Sequence, residues 1–263
     1  MRYAKIFFYS IYLMTLTVGI IPARYDSKRL PGKPLALIND RPMIQHVYQR
    51  ASKAVNLERL VVATDDPRIH EAVAQFGGEV VMTSPEHASG TDRVAEAARQ
   101  LMLPDDAIVV NIQGDEPLLR VEMVDSLADT LQARGDVDMA TLAHPGTDSD
   151  DFHDPSVVKV VLDSKGRALY FSRAPIPAPR GGSSVPPYHK HLGFYGYRNG
   201  FLQKFTTLTP GVLEKLEKLE QLRALEHGFT IAVVIIPFDS ISVDTPEDLA
   251  QVRKIMEEHS GRG

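Results

Sequence analysis

The sequence predicts an α/β domain: a mostly parallel sheet with helices on both faces and one antiparallel hairpin excursion. Short apolar runs of strand length, Arg59–Thr64, Glu79–Met82 and 107–112, alternate with helical segments at 42–54, 67–76, 92–102 and 121–134, the pattern of βαβ units. At 263 residues and 43% hydrophobic content, the chain can bury a full-sized core, and 14–263 reads as one domain.

The first strand is the apolar run 17–21. It is preceded by an uncharged stretch, 6–23, behind Arg2 and Lys5, which imitates a signal peptide or membrane anchor. Its last third is needed as a buried strand, so residues 1–13 are read as a dispensable, disordered extension ahead of Met14, and no stable membrane insertion is expected. Downstream, Gly77-Gly78 stops the second helix and Thr91 is placed to cap the third. The runs 157–162 and 168–172 flank Asp163-Ser-Lys-Gly-Arg167, a hairpin signal. The stretch 175–187 carries five prolines and two glycines and is expected as a surface loop or partner-facing arm. Leu213, Leu216, Leu219, Leu222 and Leu225 predict a helix over 212–226 with a leucine stripe in the core or at a dimer seam.

Composition narrows the function. Lys and Arg number 29 against 34 Asp and Glu, a net charge of -5, so no general attraction to nucleic acid is expected. Cysteine is absent, which removes thiol nucleophiles, thiolate metal sites and disulfides and is compatible with a cytoplasmic location.

In open parallel sheets, ligands sit beyond the carboxyl ends of the strands, so the loops opening at Pro22, Asp65, Ser84 and Gln113 should share one edge. The first, 22–34, crowds Arg24, Lys28, Arg29 and Lys33 between prolines. These cations repel one another and gain most when a ligand of about four negative charges, such as a nucleoside triphosphate, lies among them; the plain alternative is a solvated basic loop. Asp115, in Gln113-Gly-Asp-Glu-Pro117, is either a magnesium ligand or the side chain of an Asx turn. Near the C-terminus Thr245, Pro246 and Asp248 spell a helix start, leaving Asp244, at the end of an expected short strand, as a second metal carboxylate or a turn residue. Ser89 and Gly90, in Ser89-Gly-Thr-Asp-Arg93, belong to a helix cap and can also meet a base edge or ribose. His189, His191, Tyr195 and Tyr197 occupy one face of an expected strand and either grip a polyhydroxylated acid or pack in a core or interface.

Ile-Ile-Pro-Ala-Arg24, Arg29-Leu-Pro-Gly-Lys33, Asn-Ile-Gln-Gly-Asp-Glu-Pro117, His191-Leu-Gly-Phe-Tyr-Gly-Tyr-Arg198 and Val-Asp-Thr-Pro-Glu-Asp248 together resemble the cytidylyltransferases that activate acidic keto-sugars, most closely the branch acting on 3-deoxy-manno-octulosonate (Kdo). The resemblance runs from about Val18 to Val252. It implies a Rossmann-like nucleotidyltransferase fold, usually a homodimer, that converts CTP and Kdo into CMP-Kdo and pyrophosphate with Mg2+ for lipopolysaccharide synthesis. By the same resemblance, Arg24, Ser27, Arg29 and Lys33 bind the triphosphate, Asp115 and Asp244 hold the metal, and Arg24, Lys33 and Asp115 are catalytic. Gln113, His191, Tyr195, Glu220 and Gln221 fall on the sugar side, with Arg173 a carry-over for the sugar's charged end. The segment 143–200 is expected near the dimer interface. Asp239-Ser-Ile-Ser242, where relatives tend to carry glycine, departs from the pattern and bears on sugar preference. A sialic-acid or 8-amino-Kdo substrate, or a non-catalytic nucleotide-binding role, remain the rival readings.

Overall fold

The computed structural model describes residues 15–26, 29–180 and 185–260. Its strands are β1 (Thr17–Ala23), β2 (Leu37–Ile38), β3 (Arg41–Pro42), β4 (Arg59–Thr64), β5 (Glu79–Met82), β6 (Ile108–Asn111), β7 (Met139–Gly146), β8 (Lys159–Leu162), β9 (Ala168–Ser172), β10 (Tyr188–Arg198) and β11 (Ile231–Ile235). Its helices are α1 (Met43–Ala51), α2 (Pro67–Gln75), α3 (Gly90–Gln100), α4 (Val121–Ala133), α5 (Ser149–His153), α6 (Asn199–Phe205), α7 (Val212–Glu217), α8 (Leu222–Glu226) and α9 (Pro246–Ser260).

The main sheet runs β11-β7-β10-β6-β1-β4-β5, and of these strands β10 alone is antiparallel to its neighbours. The hairpin excursion is β8–β9, which adds to the sheet through β8 and β10. Strand β1 explains why the core has two halves. Val18 and Ile20 face one apolar cluster with α3 and α6, whereas Ile21 and Ala23 face another with α1 and α4. A strand with helices on both sides has to be apolar on both, and β1 reads as a continuous apolar run for that reason. Among the described residues no helix is long and apolar enough to cross a membrane.

Two expectations about helices are corrected here. The third helix is capped by Ser89, two residues earlier than Thr91: Ser89 Oγ accepts from Asp92 N and Asp92 Oδ2 accepts from Ser89 N, both at 3.1 Å. That reciprocal box satisfies two otherwise unpaired donors, and it releases the Thr91 hydroxyl to donate to Glu220 at 2.6 Å. The leucine segment is two short helices, because a repeat of three residues slips about 60° per step around a helix of 3.6 residues per turn and defines no single face. Leu219 and Leu222 are buried while Leu216 is 74% exposed. The chain breaks at Lys218, in the left-handed region at φ 55°, and the carboxylate of Glu217 is held by Ser172 Oγ at 2.7 Å and Arg173 N at 2.9 Å.

Candidate active site

Strand β1 delivers the cationic loop to the carboxyl edge of the sheet. The loop closes on itself through Gly32 N donating to Tyr25 O at 3.0 Å, with Gly32 at φ 69° over the Tyr25 ring, a conformation that favours glycine. One 3-10 turn, Lys33–Leu35, follows and aims the Lys33 amine inward, where its side chain is only 15% exposed. Strand β6 delivers the second loop. At Gly114 an added Cβ would lie 2.9 Å from the carbonyl oxygen of Pro22, so only glycine lets this loop pass so close to the end of β1.

These two loops meet a third. Lys33 Nζ donates to Asp115 Oδ2 at 2.6 Å and to Asp244 Oδ1 at 3.2 Å, and Arg29 pairs with the same Oδ1 at 3.0 Å. The carboxylates are therefore joined through one ammonium group and face the cationic loop. Asp244 is not at the end of a strand, as the sequence suggested. Residues 236–245 leave β11 as an irregular segment, because their backbone pairs with a loop: Val243 N donates to Asp115 O at 2.9 Å. The expected helix start is present, since Asp248 Oδ2 accepts from Thr245 N at 2.8 Å and Asp244 N at 2.9 Å while Thr245 Oγ1 accepts from Asp248 N. One capping carboxylate thus also fixes the backbone of Asp244.

A cavity of about 750 Å³ opens in front of this group. Arg24, Arg29, Lys33, Asp115 and Asp244 line one part, and Gln113, Ser89 and Gly90 line the rest with the first turn of α3. Ser27 lies outside the described residues. Gln113 Nε2 donates to Gly193 O at 2.6 Å, tying the β6 loop to the bulged part of β10.

The other residues expected on the sugar side stand outside that lining. His191, Tyr195 and Tyr197 form a row of rings with centroids 5.6 and 6.0 Å apart, and His191 packs edge-on against Phe171. His191 Nε2 meets Thr141 Oγ1 at 2.9 Å, and burial pulls its pKa down to about 3, so the ring is neutral. Burial pushes the Tyr195 hydroxyl up, helped by the charge of Glu220, so it stays a hydrogen-bond donor. Glu220 is itself raised by desolvation. Gln221 is 4% exposed, and among the described residues its Nε2 has no hydrogen-bond partner. Arg173 is committed elsewhere: Nε donates to Glu217 O at 2.8 Å and a terminal nitrogen to Pro155 O at 2.9 Å.

Two residues escaped the sequence reading. Arg93, 4% exposed, pairs with Asp65 at 3.1 Å, donates to Thr83 Oγ1 at 2.6 Å, and forms part of the cavity wall. Its place inside a capping motif was the available signal. Glu116, 5% exposed, has its pKa pushed up to about 8, first by burial and then by the adjacent Asp115, and Ser240 Oγ donates to its carboxylate at 3.2 Å.

The chain matches the family described as Cytidylyltransferase over residues 18–232. It is 59% identical over 240 residues to a 3-deoxy-manno-octulosonate cytidylyltransferase of Syntrophobacter fumaroxidans, covering 91% of this chain and 96% of that one. An 8-amino-3,8-dideoxy-manno-octulosonate cytidylyltransferase of Shewanella sp. (strain ANA-3) is 54% identical over 231 residues, 88% of this chain and 94% of its own. Among solved structures, a CMP:2-keto-3-deoxy-manno-octonic acid synthetase complexed with CTP superposes with TM-score 0.88 at 42% identity, covering 93% of this chain and all of that one. A cytidylyltransferase of Leptospira borgpetersenii shares the fold at TM-score 0.60 and 16% identity.

Proposed function

The chain belongs to the cytidylyltransferase family, and from that premise we propose that it transfers the cytidylyl group of CTP to Kdo, giving CMP-Kdo and pyrophosphate for lipopolysaccharide synthesis. One observation carries the reading: a cationic loop and two aspartates from distant parts of the chain converge on a single cavity edge. The likeness to relatives named for this reaction supports the choice of nucleotide and sugar.

In the transfer, the anomeric hydroxyl oxygen of the sugar bonds to the α-phosphorus of CTP. The bond from that phosphorus to the bridging oxygen breaks, pyrophosphate leaves with the electron pair, and the hydroxyl proton passes to solvent. Arg24, Arg29 and Lys33 line the cavity, and their role in this reading is to offset the charge that grows on the leaving group, the main task in a phosphoryl transfer without a covalent intermediate. Ser89 and Gly90 present the start of α3 to the nucleotide. On the sugar side Tyr195 acts as a donor and His191 as a neutral ring fixed by Thr141, which suits hydroxyl groups.

The residues present fit a magnesium ion. Among the described residues no group of three or more acidic or histidine side chains converges, and magnesium usually takes only one or two carboxylates plus phosphate oxygens. Asp115 and Asp244 already hold a cationic group between them, which marks the point as one where positive charge is stable. When bound there, Mg2+ would act as a Lewis acid toward the phosphates.

The active form is read as a cytoplasmic homodimer. Leu169 and Leu216, 61% and 74% exposed, lie on β9 and α7, elements that Glu217 ties together, and they offer an apolar surface to a second copy. Light scattering on the purified chain checks the dimer. A second sugar is favoured by the relatives named for 8-amino-Kdo. Mass spectrometry of products from CTP with Kdo, 8-amino-Kdo and sialic acid in turn decides among the three; CMP-Kdo as the main product supports the reading, and no nucleotide-sugar from any of them refutes it.

A further inference from the structure

The pair Asp115 and Asp244 is neutralised from within the chain. Two carboxylates face two cations, Lys33 at 2.6 and 3.2 Å and Arg29 at 3.0 Å, and Asp244 Oδ1 accepts from both. A divalent ion set against these oxygens would meet the Lys33 ammonium as a like charge at close range, in a place where the lysine is 15%, Asp115 27% and Asp244 38% exposed, so that water screens the repulsion only in part. The lysine cannot share the position, yet it can leave it. Its charge rides on a flexible four-carbon stem, whereas the backbone at its root is fixed by the 3-10 turn and the Gly32 bend. Nucleotide phosphates entering the same cavity offer that ammonium another anion.

We infer that Lys33 is a resident cation that keeps the acid pair closed to metal until nucleotide phosphates take over its charge. This rests on the reading in which Asp115 and Asp244 hold the divalent ion. Nucleotide and metal then bind as a coupled pair, each raising the affinity of the other by the same factor. Arg29 is secondary in this arrangement because its side chain is 64% exposed and, among the described residues, its ion pair is with Asp244 and not with Asp115. The opposite role for Lys33, a permanent clamp that holds the two loops in place, predicts that its loss would weaken metal binding.

The test uses Mn2+ as the probe on the intact chain, with bound ion read by water-proton relaxation and free ion by electron spin resonance. Without nucleotide, Lys33→Gln should bind Mn2+ at least about tenfold more tightly than the unaltered chain, and Lys33→Arg should behave like the unaltered chain. With free Mn2+ held constant, CTP should raise protein-bound Mn2+ strongly in the unaltered chain and far less in Lys33→Gln. A gain of affinity cannot come from a damaged fold. Equal or weaker binding by Lys33→Gln overturns the inference. Adding Asp115→Asn and Asp244→Asn separates the two ideas. If the Mn2+ bound by Lys33→Gln survives those changes, the acid pair is not the metal site. If it disappears with them while Lys33→Gln and the unaltered chain bind alike, only the role of the lysine fails.

Discussion

Val243 donates its backbone N–H to the carbonyl oxygen of Asp115 at 2.9 Å. That bond sets the loop carrying Asp115 beside the residue preceding Asp244, so the main chain brings the two carboxylates together as well as their shared ion pair with Lys33.

Asp115→Ala keeps that backbone bond and the fold, and removes a carboxylate that organises the cations. Turnover should fall by about two to three orders of magnitude, the size of effect seen when a key electrostatic group is lost, while the thermal midpoint changes little. Steady-state kinetics beside a melting curve checks it, and near-normal turnover at saturating Mg2+ would take Asp115 out of the mechanism.

Gly114→Ala should harm both folding and activity. The new Cβ would lie 2.9 Å from Pro22 O, a backbone atom that cannot turn aside, so stability should drop by about 1–3 kcal/mol. Urea unfolding reads the first effect and turnover the second. An unchanged midpoint would mean that the loop has slack.

Asp248→Ala separates capping from catalysis. Loss of the cap should cost about 1 kcal/mol, and the freed N–H of Asp244 should let that residue wander. The fall in kcat should therefore exceed what the small loss of stability explains. If kcat is untouched, the cap does not position Asp244.

Acid should weaken the fold through His191. Its folded pKa is lowered to about 3, so between about 6.5 and 3 the unfolded chain binds more protons than the folded one. Stability from this group is complete above the unfolded value and is lost as pH falls through that window. The contribution should be on the order of 2 kcal/mol once the partial exposure of the residue is allowed for. In chemical unfolding from pH 7 to 4, His191→Gln should lose less stability than the unaltered chain; parallel curves would contradict this.

The alternation of strands and helices was legible because each strand of the parallel core has to be apolar on both faces, which leaves compact apolar runs such as Arg59–Thr64. Arg24, Arg29 and Lys33 were legible as a group because they share one loop. The Lys33 ion pairs were not, since they reach residues far along the chain through tertiary contact alone. The cap fell within Ser89-Gly-Thr-Asp-Arg93 as expected but on Ser89 instead of Thr91, because both are good caps and only the reciprocal bond with Asp92 decides between them. Likewise Asp244 follows an apolar run that looks like a strand, but Val243 in that run pairs its backbone with Asp115 instead of with a sheet. The tight turn at Asn39 and Asp40, both at positive φ between β2 and β3, had a sequence signal that went unread.

The central claim is that Asp115 and Asp244 serve one point in the cavity, and a double-mutant cycle on pyrophosphate release from CTP and Kdo tests it most directly. If both act on that single point, Asp115→Asn, Asp244→Asn and the double variant should lose comparable activity, because removing either already disables the unit. Losses that multiply in the double variant would place the two aspartates in separate roles.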